Sequence, residues 1–260
     1  MPEHEDFDGE IDELSEDHEE AERALLEIVV AYAAGRIAAE EAAAQIGHIV
    51  EALAVAVADW IDDVLPRIYE SGIRTAQRAL GASDSESADE AMSRPEHTEI
   101  LETEAERLER AMDGLSEQMA RDAAGALDEI RRRNALAMMS KGRNAIPQAR
   151  EMADEMRGRG IAFTDRSGRR WDPGAYARMV LRTHAVETSN AANLATAAEL
   201  GSPGVRIRDG GPGDVDEPCK IANGQAWSLA YFAANLLEHP NCRRAAAPLP
   251  STWSGELDRE

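Results

Sequence analysis

Apolar residues recur at steps of three and four over two long stretches of this chain, and that period is the one a helix buries. In the first, Ile46, Ile49, Leu53, Val57, Trp60, Val64 and Ile68 form one stripe over about six turns. Pro66 falls inside it and predicts a kink, because its ring clashes with the carbonyl four residues back. Gly81 is a natural C-cap before the polar linker SDSESADEAMSRP. In the second stretch, Leu101, Ala105, Leu108, Met112, Leu115 and Met119 make a heptad seam, continued more loosely by Ala126, Leu127 and Ile130. Packing against residues 46–80 of the same chain and a bundle formed between copies both satisfy that seam. An earlier helix, with Leu25, Leu26, Ile28, Val29 and Tyr32, stops near Gly35. With only 4 Trp, 4 Tyr and 3 Phe in 260 residues, the chain suits long helices packed by small side chains better than a thick core.

The net charge of −22 is unevenly spread. Residues 1–130 carry 35 acids against 9 Lys/Arg, and residues 131–182 carry 5 acids against 13 Lys/Arg. Such a split predicts two partners of opposite sign, or one segment folding against the other. The chain as a whole repels phosphate, which argues against non-specific DNA binding. Residues 1–22 hold twelve acids and no Lys or Arg, and read as a disordered acidic tail. Met-Pro-Glu-His-Glu lacks a signal-peptide pattern, and no run reaches the roughly 18 apolar residues of a membrane span. Two cysteines are too few for a disulfide scaffold, which fits synthesis in the cytoplasm.

From Gly142 the texture changes. Pro147, Gly158, Gly160, Gly168, Pro173 and Gly174 break the chain into short elements. Residues 161–165 predict a short strand before a turn. Asp172-Pro173 predicts a helix start with Asp172 as N-cap, running to Gly201. Val205-Arg206-Ile207-Arg208 alternates as a half-buried strand. Both cysteines follow, Cys219 and Cys242, the latter in His239-Pro240-Asn241-Cys242. Asp216, Cys219, His239 and Cys242 offer a carboxylate, two thiols and an imidazole, a set that Zn²⁺ accepts. Reduced thiols packed in a small core, or a Cys219–Cys242 disulfide, fit the same residues.

The run Trp171-Asp172-Pro173-Gly174-Ala175-Tyr176-Ala177-Arg178-Met179-Val180-Leu181-Arg182-Thr183, the strand at 205–208, Asp209-Gly210, Cys219, Asn223-Gly224 and His239-Pro240-Asn241-Cys242-Arg243 occur in that order. Together they resemble the C-terminal domain of tailed-phage minor head proteins, the phage Mu protein F-like or head-morphogenesis family, over about residues 145–250. Where that family often shows Cys-x-x-Cys, this chain has Asp216 in place of the first cysteine. The resemblance implies a structural protein of the virion, made in the host bacterial cytoplasm. It would sit in the head interior or at the portal vertex and act in head assembly, DNA packaging or ejection. Its partners would be the portal protein, the major capsid protein, or both, and it would be present in multiple copies without membrane contact. The implied fold is mainly α: an elongated helical N-terminal region over 23–141 with a small α+β C-terminal domain over 142–260.

No catalytic residue and no organic cofactor is expected. The family's distant kinship to ADP-ribosyltransferases leaves one alternative, an effector enzyme carried in the head, for which Arg182 and Glu187 would be the residues to test. His184 and Glu187, three apart near Arg182, read as a packing element. Arg131, Arg132 and Arg133 read as a cationic end to the second long helix, or as a contact to phosphate or an acidic partner. Packaged DNA could be touched through residues 131–182, although Phe163, Trp171 and Tyr176 make a thin stacking platform. Arg182, Asn223 and Gly224 complete the residues assigned structural or partner roles.

Overall fold

The structure is a computed structural model and describes residues 7–82, 87–141, 151, 154–155, 157–165, 167–209 and 217–260. Four helices come first: α1 (Asp8–Ala33), α2 (Ala39–Leu80), the short α3 (Ala88–Met92) and α4 (Pro95–Lys141). A two-stranded hairpin follows, β1 (Phe163–Thr164) with β2 (Arg170–Trp171), and then helix α5 (Pro173–Glu199). The remainder is β3 (Val205–Arg208), α6 (Glu217–Ala222), β4 (Ala226–Trp227), α7 (Leu229–Ala234) and β5 (Ala245–Pro248). Helix makes up 71% of the described residues, so the fold is mainly α with a small α+β part near the C-terminus.

The chain divides into two compact units that are interleaved in sequence. The first holds Met1–Ile11, Trp60–Glu109 and Met179–Glu260, and the second Asp12–Asp59 and Arg110–Arg178.

In the first unit, Val205 and Ile207 of β3 and Trp227 of β4 gather with Phe232, Ala222 and Ala246 into a small apolar core. The sheet order is β4-β3-β5, antiparallel throughout, with Arg206 opposite Ala226 on one side and Ala247 on the other. A second cluster joins Tyr69 and Ile73 of α2 to Ala88, Ala91 and Ala192. Alpha-helices 2 and 5 approach closely there, because a Cβ at Gly72 would lie 2.3 Å from the Ser189 carbonyl oxygen.

In the second unit, Leu14, Ala21, Leu25, Ile28 and Val29 bury one face of α1. Residues 8–22 are therefore helical, not the disordered tail that their acid content predicts. The reason is positional: the acids occupy the outer face, while Leu14, His18, Ala21 and Leu25 keep helical spacing on the inner one. Met112, Leu115 and Met119 of the heptad seam are fully buried in this single chain, as is Leu108 in the first unit. The seam is thus covered by intrachain packing. Helix α4 also continues past Arg131–Arg133 to Lys141, so that triplet is not the helix end.

Candidate metal centre

Three elements of the first unit place the two cysteines. Cys219 sits on α6, whose end is fixed by the Asn223 N–H donating to the Cys219 carbonyl at 3.0 Å. Gly224 takes φ 88°, open to glycine but strained for other residues, and its N–H donates to the Ile207 carbonyl at 2.9 Å. The Asn223 Oδ1 accepts from the Asp209 N–H at 3.1 Å. Asn223-Gly224 is therefore the turn that locks α6 onto the end of β3. Cys242 closes a tight turn of its own, with its N–H on the His239 carbonyl at 3.0 Å. Asn241 in that turn has φ 63°, alone among the described non-glycine residues, and its N–H donates to Thr183 Oγ1 at 3.1 Å.

Cys219 and Cys242, predicted as a pair, do converge. Their sulfurs are 4.0 Å apart and both residues are buried, without a disulfide between them. His239 Nε2 lies 3.3 Å from Cys219 Sγ. The other ring nitrogen, Nδ1, lies 2.8 Å from the Pro240 carbonyl, which only accepts, so Nδ1 carries the proton and Nε2 presents its lone pair. These three ligand atoms lie within 4.8 Å of one another. Asp216, the fourth expected ligand, lies outside the described residues.

A second layer surrounds the cluster that sequence reasoning missed. Asp209 Oδ1 lies 3.9 Å from Cys242 Sγ, while its Oδ2 accepts from Arg244 Nε at 2.7 Å. Both side chains are sealed from solvent, at 0% and 1% exposure. Burial disfavours the Arg244 charge, and the hydrogen bond and charge of Asp209, with smaller contributions from Cys242 and Glu238, raise its pKa overall. Arg244 also donates to the Asn235 carbonyl at 3.0 Å and lies over the Trp227 ring. From α5, the Asn190 side chain donates to the Arg244 carbonyl at 2.8 Å and Asn193 to the Ala246 carbonyl at 3.2 Å.

A second group of potential ligands, Glu104, His184 and Glu187, is organised differently. Arg107 already stands among them, donating to Glu104 Oε1 at 2.9 Å and to Glu187 Oε2 at 3.2 Å. Burial, then the Arg107 charge, pushes His184 down to about 4, although Glu187 lies 3.6 Å from its Nδ1. Burial pushes Glu104 up against the pull of Arg107. The site is an ion-pair cluster whose cation is Arg107. Arg182, expected beside it, instead reaches Asp8 at 3.3 Å. Arg182 and Glu187 thus take separate partners.

Several described arginines of the basic segment meet the chain's own acids. Within the second unit, Arg131 pairs with Asp128, Arg132 with Glu129, Arg133 with Glu129 and Glu155, Arg159 with Asp122, and Arg178 with Asp12. The aromatic trio is also used internally: Phe163 stacks on Tyr176 at 3.9 Å, and Trp171 packs edge-on against the same ring. Trp171 Nε1 donates to Asp165, whose carboxylate also accepts from Ser167 and is held at about 2.

Among the described residues no helix is long and apolar enough to cross a membrane. Residues 8–210 match the family described as phage minor capsid protein 2. The match stops short of Cys219, His239 and Cys242, so it neither supports nor opposes a role for them. No curated protein and no solved structure matches the chain.

Proposed function

The chain belongs to the phage minor capsid protein 2 family, and from that premise we propose that it docks at the portal vertex, on the portal protein or the major capsid protein, during head assembly, packaging or ejection. Its family makes it a structural component of the phage capsid that assembles with other virion proteins. The single observation carrying this reading is the family match over 8–210, which covers all the long helices. The Mu F-like character of residues 145–250 is part of the same proposal, as is its presence in several copies.

The charge distribution supports a protein partner over packaged DNA. The arginines at 131, 132, 133, 159 and 178 already face carboxylates of this chain, and a phosphate contact would have to displace them. Docking through shape and rim charge needs no bond-making chemistry. The separate partners of Arg182 and Glu187 leave the ADP-ribosyltransferase alternative with no observation in its favour. Co-production with the portal protein of the same phage, followed by a low-salt pull-down, tests the docking. Recovery of the pair is expected. Recovery of neither portal nor major capsid protein refutes the docking, and absence of the chain from purified heads refutes the structural role itself.

A further inference from the structure

We propose that Cys219, His239 and Cys242 bind one Zn²⁺ ion per chain. Zinc sits about 2.3 Å from thiolate sulfur and about 2.0–2.1 Å from imidazole nitrogen, so tetrahedral ligands stand about 3.8 Å apart for two sulfurs and about 3.5 Å for sulfur and nitrogen. The distances here are 4.0 Å between the sulfurs and 3.3 Å from Cys219 Sγ to His239 Nε2. Small shifts would bring all three onto one ion.

The imidazole is prepared for that role. Its Nδ1–H is anchored on the Pro240 carbonyl, which fixes the tautomer and turns the Nε2 lone pair toward the sulfurs. Two thiolates and a neutral imidazole are a soft set that favours zinc over magnesium or calcium. Binding balances as Zn²⁺ replacing the two thiol protons, which pass to solvent, and the two thiolates neutralise the ion. Arg244, paired with Asp209, offsets that carboxylate where it approaches Cys242. The fourth ligand would be water or a carboxylate oxygen.

The bond would be mechanical. It would tie α6 to the turn before β5 across a region whose apolar core is small. The proposal is independent of portal docking, since it concerns residues beyond the family match.

The test uses the full chain purified without chelator. Elemental analysis should find one zinc per chain, and both thiols should resist a thiol reagent until a chelator is added. Chelator-treated wild-type protein should then take up Co²⁺ with the thiolate charge-transfer and tetrahedral d–d bands. His239→Ala and Cys242→Ser should each abolish stoichiometric uptake. Because those variants could fail to fold, the cobalt titration of wild-type protein carries the decision. The proposal is overturned if that protein, still helical by circular dichroism, binds neither Co²⁺ nor Zn²⁺. It is equally overturned if unreduced protein is metal-free and two hydrogens lighter, the signature of a disulfide.

Discussion

Gly72→Ala sets two known effects against each other. Gly72 lies inside α2, where alanine is favoured over glycine by about 1 kcal/mol. Its new Cβ, however, would stand 2.3 Å from the Ser189 carbonyl oxygen and 2.8 Å from the Ala192 Cβ. The first atom is backbone, so no rotamer change relieves the clash, and α5 must retreat locally by about 1 Å to restore normal contact. Overpacking of this kind costs about 1–3 kcal/mol, and the retreat also loosens Tyr69, Ile73 and Ala192, which are fully buried at that crossing. The clash wins, and the variant should lose about 1–2 kcal/mol after the helix gain is subtracted. Gly47→Ala and Gly114→Ala are the controls: both positions are helical, and an added Cβ meets nothing within 4 Å. They should gain about 0.5–1 kcal/mol from propensity alone. Urea unfolding followed by far-ultraviolet circular dichroism reads all three midpoints. Opposite signs are expected, and a Gly72→Ala midpoint that rises with the controls would refute the close approach of α2 and α5.

Two further perturbations probe buried charge. Arg244→Met should cost about 3–5 kcal/mol, because it removes the cation paired with the Asp209 carboxylate in a site with 0% side-chain exposure, and the double variant Asp209→Asn, Arg244→Met should recover part of that loss. Thermal unfolding of the single and double variants checks it, and a single-variant loss below about 0.5 kcal/mol, the level of a surface pair, contradicts it. His184 should make stability pH-dependent. Its pKa is about 4 in the fold against 6.5 as a model group, so the unfolded chain binds more protons between those values, and stability is lost as pH falls from 6.5 toward 4. The loss reaches about 3 kcal/mol at most. Glu104, raised by burial, contributes with the opposite slope near its own titration, while Arg107 and Glu187 face both groups. The readout is therefore the difference between wild type and His184→Gln in denaturant series across that window, with the variant flatter. A His184 ring that titrates at or above 6.5 by NMR contradicts the burial argument.

What the sequence disclosed and what it concealed follow from the range of the forces involved. Helix period is local, so the stripes over 46–68 and 101–119 were legible, as was Asp172 at the start of α5. Composition averages over position, and this misled at residues 8–22, where nine acids outweighed a regular inner face of Ile11, Leu14, His18 and Ala21. The arginine triplet misled for a related reason. A cation at a helix end and a cation beside Asp128 or Glu129 one turn back are both stabilised, and only the chain's continuation to Lys141 separates them. Cys219, His239 and Cys242 stood out because cysteine is rare here, yet their meeting depends on β3 pairing with both β4 and β5, which no local pattern encodes. Asp209 and Arg244 were invisible, since a charged residue reads as surface until its partner is seen. That blindness matters most where the sheet is thinnest. The three alanines of β5 bury little area, so their strand is held by Asn190, Asn193 and the Asp209–Arg244 pair in place of apolar mass. Directional polar contacts of this kind fix one arrangement at little gain in area, which is the setting in which the proposed metal tie between Cys219 and Cys242 would add most.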